Sequence, residues 1–143
     1  MKTISTVEIR CAPAAVFPYL HQPERLARWL TDFLSASRSL DAPAGTELTM
    51  TFRQMGGGTR EAATAILASE PDRRLVYRMI DPSFDIEVEF LAEPAGALTR
   101  LTQTLVATGR TEAMAAMAAQ YEPMAAQQHQ RDLDKLKALV EAG

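Results

Sequence analysis

The sequence predicts an α+β domain: a curved antiparallel sheet of six or seven strands wrapped around a long C-terminal helix, with two short helices after the first strand. Three observations carry that prediction. Strand-like alternation punctuated by turns fills the middle of the chain, from Ser35 to Thr108. A helical stripe of apolar residues runs from Met114 to Val140. The connections between the alternating runs are short, whereas a parallel pair needs a crossover of about a dozen residues or more.

Taken in order, Val7 and Ile9 alternate with Glu8 and Arg10, which gives a first strand with one buried face. Ala12-Pro13 ends it, and Pro13 suits a first helical position, where its missing N–H costs nothing. A short helix runs on through Leu20, with Pro18 kinking or shortening it. A second restarts at Pro23, with Leu26, Trp29 and Leu30 at helical spacing and Arg25 and Arg28 facing out. Ser35 to Leu40 carries a weak strand pattern. Leu48, Met50 and Phe52 then share a face before the Gly56-Gly57-Gly58 hairpin turn. The next strand spans about Arg60 to Ser69 and stops at Glu70-Pro71-Asp72.

Leu75, Tyr77 and Met79 alternate with Val76 and Arg78 up to Asp81-Pro82-Ser83. Phe84, Ile86, Val88 and Phe90 form the cleanest stripe, opposite Asp85, Glu87 and Glu89. That acidic face is read as solvated, with Arg78 or Arg100 as its ion-pair partners. After Pro94-Ala95-Gly96, Leu101, Gln103, Leu105 and Ala107 share a face. Thr111 is the expected N-cap of a last helical region reaching about Ala142, which Pro123 must kink or divide. Its inner stripe reads Met114, Met117, Tyr121, Ala125, His129, Leu133, Leu136 and Val140. A twisted sheet curls, and this helix is the one element large enough to cover its concave face.

At 143 residues the chain fits one domain over positions 1–143, with 47% hydrophobic and 23% charged residues. A net charge of −3 with acids and bases interspersed argues against a nucleic-acid surface, which needs clustered Lys and Arg. No apolar run approaches the ~20 residues of a membrane span, and no signal peptide is apparent at the N-terminus. Cys11 is alone, so an internal disulfide is excluded and a cytoplasmic setting is expected. His21, His129 and Cys11 lack metal-site spacing, and no serine sits in a G-x-S-x-G setting. Neither a cofactor, a metal nor a catalytic residue set is expected.

Three segments carry a resemblance. Val7-Glu8-Ile9-Arg10-Cys11-Ala12-Pro13-Ala14-Ala15-Val16-Phe17 followed by Pro23-Glu24-Arg25-Leu26-Ala27-Arg28-Trp29-Leu30 is one. Glu70-Pro71-Asp72-Arg73-Arg74-Leu75-Val76-Tyr77 and Leu133-Asp134-Lys135-Leu136-Lys137-Ala138-Leu139 are the others. Together they resemble the opening, central hairpin and closing helix of the helix-grip fold of the START-like, or SRPBCC, superfamily, over nearly the whole chain. The nearest groups are the polyketide cyclase/dehydrase-like and heat-shock-ATPase-activator-like ones. The latter usually carry a Trp where this chain has His129. The resemblance implies an internal cavity between sheet and helix, used across the superfamily for lipids, sterols, polyketides or hormones.

The residues support a cavity independently. The long helix is rich in small side chains (Ala115, Ala116, Ala118, Ala119, Ala125 and Ala126), which leave space unless the helix lies very close to the sheet. Met50, Met79, Met114, Met117 and Met124 suit an adaptable lining, although each also fits as ordinary core. The polar groups on the inner faces are Tyr77, Gln103, Tyr121 and His129. The expected ligand-binding set therefore comprises Trp29, Met50, Phe52, Tyr77, Met79, Ile86, Val88, Phe90, Gln103, Leu105, Met117, Tyr121, Met124 and His129. Trp29 reads either as a gate or as a core anchor.

The first functional expectation is a binder or carrier of a small hydrophobic molecule of lipid, polyketide or aromatic type. The alternatives are a cyclase/dehydratase-like enzyme using His129 or Tyr77 as acid–base, and a chaperone-related partner-binding module. Membrane insertion is not expected, and a homodimer through the Thr-rich sheet face is left open.

Overall fold

The computed structural model describes residues 1–143. Its strands are β1 (Lys2–Ile9), β2 (Phe33–Ala36), β3 (Glu47–Arg53), β4 (Thr59–Glu70), β5 (Arg74–Ile80), β6 (Phe84–Ala95) and β7 (Leu98–Gly109). Between β1 and β2 lie three one-turn helices, α1 (Pro13–Val16), α2 (Pro18–His21) and α3 (Pro23–Leu26), and α4 (Glu112–Ala142) closes the chain. All seven strands form one antiparallel sheet in the order β1-β7-β6-β5-β4-β3-β2. The two edges are protected differently. Strand β1 lies under α4, and β2 is only four residues long, which limits the template it offers to another strand.

The first of the two expected short helices is two. Pro18 has no N–H to give to the preceding turn, so α1 ends at Val16 and α2 begins afresh on Pro18, with Phe17 shared between them as cap. The second expected helix ends early, at Leu26, which leaves Trp29 in the turns that follow. The weak strand signal at Ser35–Leu40 belongs to β2, three residues displaced at its centre. Leu40 is instead fully buried in a turn, with its N–H donated to the His21 carbonyl at 2.9 Å.

One contiguous cluster of 24 buried residues joins the sheet, the short helices and the end of α4. Trp29 is its largest member. Its ring meets Phe90 edge-on at 5.9 Å, and its indole N–H donates to the Tyr19 carbonyl at 2.9 Å. A buried Trp finds such a partner because an orphaned indole N–H would be costly. Leu133 and Leu136 on α4 are wholly buried and Val140 nearly so, each contributing about 1.5–3 kcal/mol.

The first half of α4 behaves differently. Thr111 caps it as expected, its Oγ1 accepting the Met114 N–H at 3.1 Å. Yet only Ala118 is buried between Glu112 and Arg131, and Tyr121 and Met124 remain 54% and 63% exposed. The predicted inner stripe therefore packs at its C-terminal end and overhangs the sheet at its N-terminal end. Pro123 does not divide the helix, which continues through it. On the outer face, Arg110 pairs with Asp85 at 2.6 Å, Arg74 with Glu89 at 2.7 Å and Arg78 with Glu87 at 3.7 Å. Arg100 takes no part there, because the β1–β7 register sets it opposite Glu8.

Candidate functional site

Strand register arranges the inner face of the sheet in rows. Met79, Ile86 and Ala107 lie side by side on β5, β6 and β7. The next row is Tyr77, Val88, Leu105 and Thr3, and the one beyond it Leu75, Phe90, Gln103 and Ser5. Leu75 and Phe90 in this third row have no exposure at all. The gap beneath the overhanging half of α4 thus opens over the first two rows and closes at the third.

That gap is a cleft of about 770 Å³ between the sheet, α4 and the Leu30–Asp32 turn. A smaller apolar recess of about 280 Å³ adjoins it under Tyr121 and Ala125, sharing Phe84, Ile86, Leu105 and His129. The size matches sites that bury a small organic molecule. Floor residues Tyr77, Val88 and Gln103 are 2–3% exposed, so anything reaching them leaves water behind.

Four polar groups face or border this space. His129 and Thr3 share a hydrogen bond of 2.8 Å between Nδ1 and Oγ1, which ties α4 to β1 and fixes the imidazole. Burial pushes the His129 pKa below its ordinary value, with the Asp132 charge partly opposing. The ring is therefore neutral near pH 7 and its Nε2 is the nitrogen left for a ligand. Burial alone raises the Tyr77 phenol, so it stays protonated and able to donate. The Gln103 carbonyl oxygen is buried without any hydrogen-bond partner, a cost of about 1–3 kcal/mol if it remains so.

Of the fourteen ligand-binding residues expected from sequence, nine line the cleft: Phe52, Tyr77, Met79, Ile86 and Val88, together with Gln103, Leu105, Met117 and His129. Tyr121 lines the smaller recess. Trp29, Met50 and Phe90 lie in the sealed core, at 0–1% exposure, where Trp29 acts as an anchor. Met124 points to solvent.

Sequence reasoning did not single out the polar rim. Asp132 is only 4% exposed and sits where α4 passes into its packed half. Its Oδ1 accepts from the Thr31 hydroxyl at 2.6 Å and from Gln128 Nε2 at 3.0 Å, while Oδ2 accepts the Thr31 N–H at 3.2 Å. This carboxylate fastens α4 to the turn that forms one side of the cleft mouth. Arg60 forms another side, stacked on Phe52 at 4.9 Å and paired with Asp81 at 3.1 Å. Neither role has a local sequence signal. Groups of His, Cys, Asp and Glu disposed to hold a metal ion are absent, and no helix is long and apolar enough to cross a membrane.

Comparison with known proteins agrees with this geometry. The model of a family described as "Polyketide cyclase / dehydrase and lipid transport" matches residues 2–141. Among solved structures, protein MLL2253 from Mesorhizobium loti superposes with a TM-score of 0.72 at 20% identity, covering 99% of this chain and 98% of its own. Protein CV1439 from Chromobacterium violaceum gives 0.75 at 20% identity, with 98% and 96% covered. Ara h 8.0201 gives 0.74 at 13% identity, with 100% and 99% covered. Likeness at these identities establishes the helix-grip fold. Among curated proteins no match was found.

Proposed function

The chain belongs to the polyketide cyclase / dehydrase and lipid transport family, and on that premise we propose that it binds a small, largely apolar molecule in the cleft between sheet and α4. The observation that carries this reading is the cleft itself. About 770 Å³ lies over a floor of Met79, Ile86, Val88 and Leu105, and the half of α4 above it buries only Ala118. The cleft is open to solvent at its mouth, and its buried floor offers an apolar surface that a small molecule can cover. Met79 and Met117 on opposite walls supply deformable contacts.

Native mass spectrometry of protein isolated from its own host, followed by organic extraction, is the direct test. One co-purifying apolar compound is expected, and it should be lost from a Leu105→Trp variant, whose indole projects over the floor and obstructs the cleft. A protein that arrives empty and takes up no apolar probe would refute the reading.

A second reading, a cyclase/dehydratase-like enzyme, is favoured by the neutral His129 held at the cleft wall by Thr3. A positioned imidazole with a pKa near or below neutrality suits a general base. In that case the extracted compound is converted on incubation, and His129→Gln stops conversion while leaving binding intact. Recovery of the compound unchanged leaves the carrier reading alone.

A further inference from the structure

We infer that the ligand enters polar end first, and that Gln103 receives a hydroxyl or N–H group borne at the buried end of an otherwise apolar skeleton. The inference rests on the cleft being a ligand site and specifies what fills it. A plain acyl tail is then the wrong occupant.

Gln103 sits on β7 between Leu101 and Leu105 on the same face, in the row where the cleft closes against Leu75 and Phe90. A leucine there would continue the apolar stripe and leave nothing unpaired. Glutamine instead leaves its Oε1 buried with no donor, although Ser5 stands directly opposite on β1. The residue lines the cleft while being 97% withdrawn from solvent, from its 3% exposure. Its terminal amide torsion is soft, so the carbonyl can turn to meet an incoming donor.

The neighbouring row repeats the theme. Tyr77 occupies one end and the Thr3–His129 pair the other, with Val88 and Leu105 between. Adjacent strands lie about 4.8 Å apart, so the three strand steps between the ends of this row span roughly 14 Å along the sheet, ample for a ring system of three fused rings. A methylene chain lying there satisfies none of these groups and seals them from water. A hydroxylated skeleton satisfies them.

The test uses two probes with one skeleton, phenanthrene and 9-phenanthrol, titrated by fluorescence against the wild-type protein and Gln103→Leu. The hydroxyl makes 9-phenanthrol the less hydrophobic of the two, so an unspecific apolar cleft prefers phenanthrene. The wild type is expected to prefer 9-phenanthrol by about tenfold, as one buried hydrogen bond implies. Gln103→Leu is expected to lose that preference while still binding phenanthrene. Gln103→Met gives the same reading should the leucine variant fail to fold. Equal binding, or a preference for phenanthrene, overturns this inference and leaves the cleft reading standing. So does a Gln103 variant that keeps the preference, since the orphaned oxygen is then served by water. Binding of neither probe overturns both.

Discussion

At His129 burial and charge act in opposite directions. Loss of water depresses the imidazole pKa below 6.5, and Asp132 one turn further on pulls the other way without cancelling it. The unfolded chain therefore takes up this proton at a higher pH than the folded one. Its contribution to stability is complete above about pH 6.5 and is lost as pH falls through the depressed folded value. Denaturant unfolding at pH 7.5 and pH 5 is expected to show a larger loss for the wild type than for His129→Gln, which keeps a partner for Thr3 but cannot titrate. Equal losses would mean that the ring is as well solvated folded as unfolded. The sequence placed His129 on the inner stripe, where it is. Asp132 escaped notice because a carboxylate beside Leu133 in a helix normally faces water, and its partner Thr31 stands a hundred residues away in sequence. Thr3 and Ser5 escaped for a related reason: they are the inward residues of β1, while Ile4 between them is 62% exposed. Polarity and orientation are inverted there, so alternation was legible only from Val7 onward.

The helix α4 is one element with two regimes. Its last three turns are pinned by Leu133, Leu136 and Val140 in the core. They are held further by Lys137 Nζ on the Glu8 carbonyl at 2.7 Å and by the Arg10 N–H on Glu141 at 2.9 Å. Its first three turns overhang the cleft with little buried surface, and Pro123, within the overhanging half, removes one backbone hydrogen bond. Helical periodicity reports which side of a helix faces the sheet, but not how far the sheet extends beneath it. That is why Leu133 and Leu136 were legible as core while Met117 and Tyr121 were not legible as overhang. Local opening is easiest where few apolar contacts hold a segment. Amide hydrogen exchange is therefore expected to be faster over residues 114–124 than over 132–140, and ligand should slow the first segment preferentially. Pro123→Ala restores the missing bond and should stabilise the fold by about 1–3 kcal/mol. Uniform protection along α4, or destabilisation by the alanine, would show that the overhang is rigid and the proline accommodated without cost.

For the molecule as a whole, the sheet was legible because period-two alternation and turn residues are local signals, and antiparallel order follows from short connections. A cavity was legible in the small and flexible side chains of the helix and in the family resemblance. Its size and the row at which it closes were not, because a void is a property of distances between elements that no single element encodes. Its consequence is thermodynamic. A protein that keeps a cleft of about 770 Å³ open forgoes the dispersion and burial that a filled core would supply, and a ligand that binds only the folded state restores them. Linkage sets the size of the effect: at a hundredfold excess over the dissociation constant the gain is about 2.7 kcal/mol. For a chain of this length that corresponds to a rise in melting temperature of roughly 5–10 °C. Calorimetry of the free and ligand-saturated protein is expected to show such a rise for the wild type. Leu105→Trp should melt no lower than the free wild type without responding to ligand, since its indole covers part of the apolar floor and obstructs the rest. If instead that variant melts below the free protein, the space is too narrow to take an indole, and an occupant of ring-like width is ruled out with it.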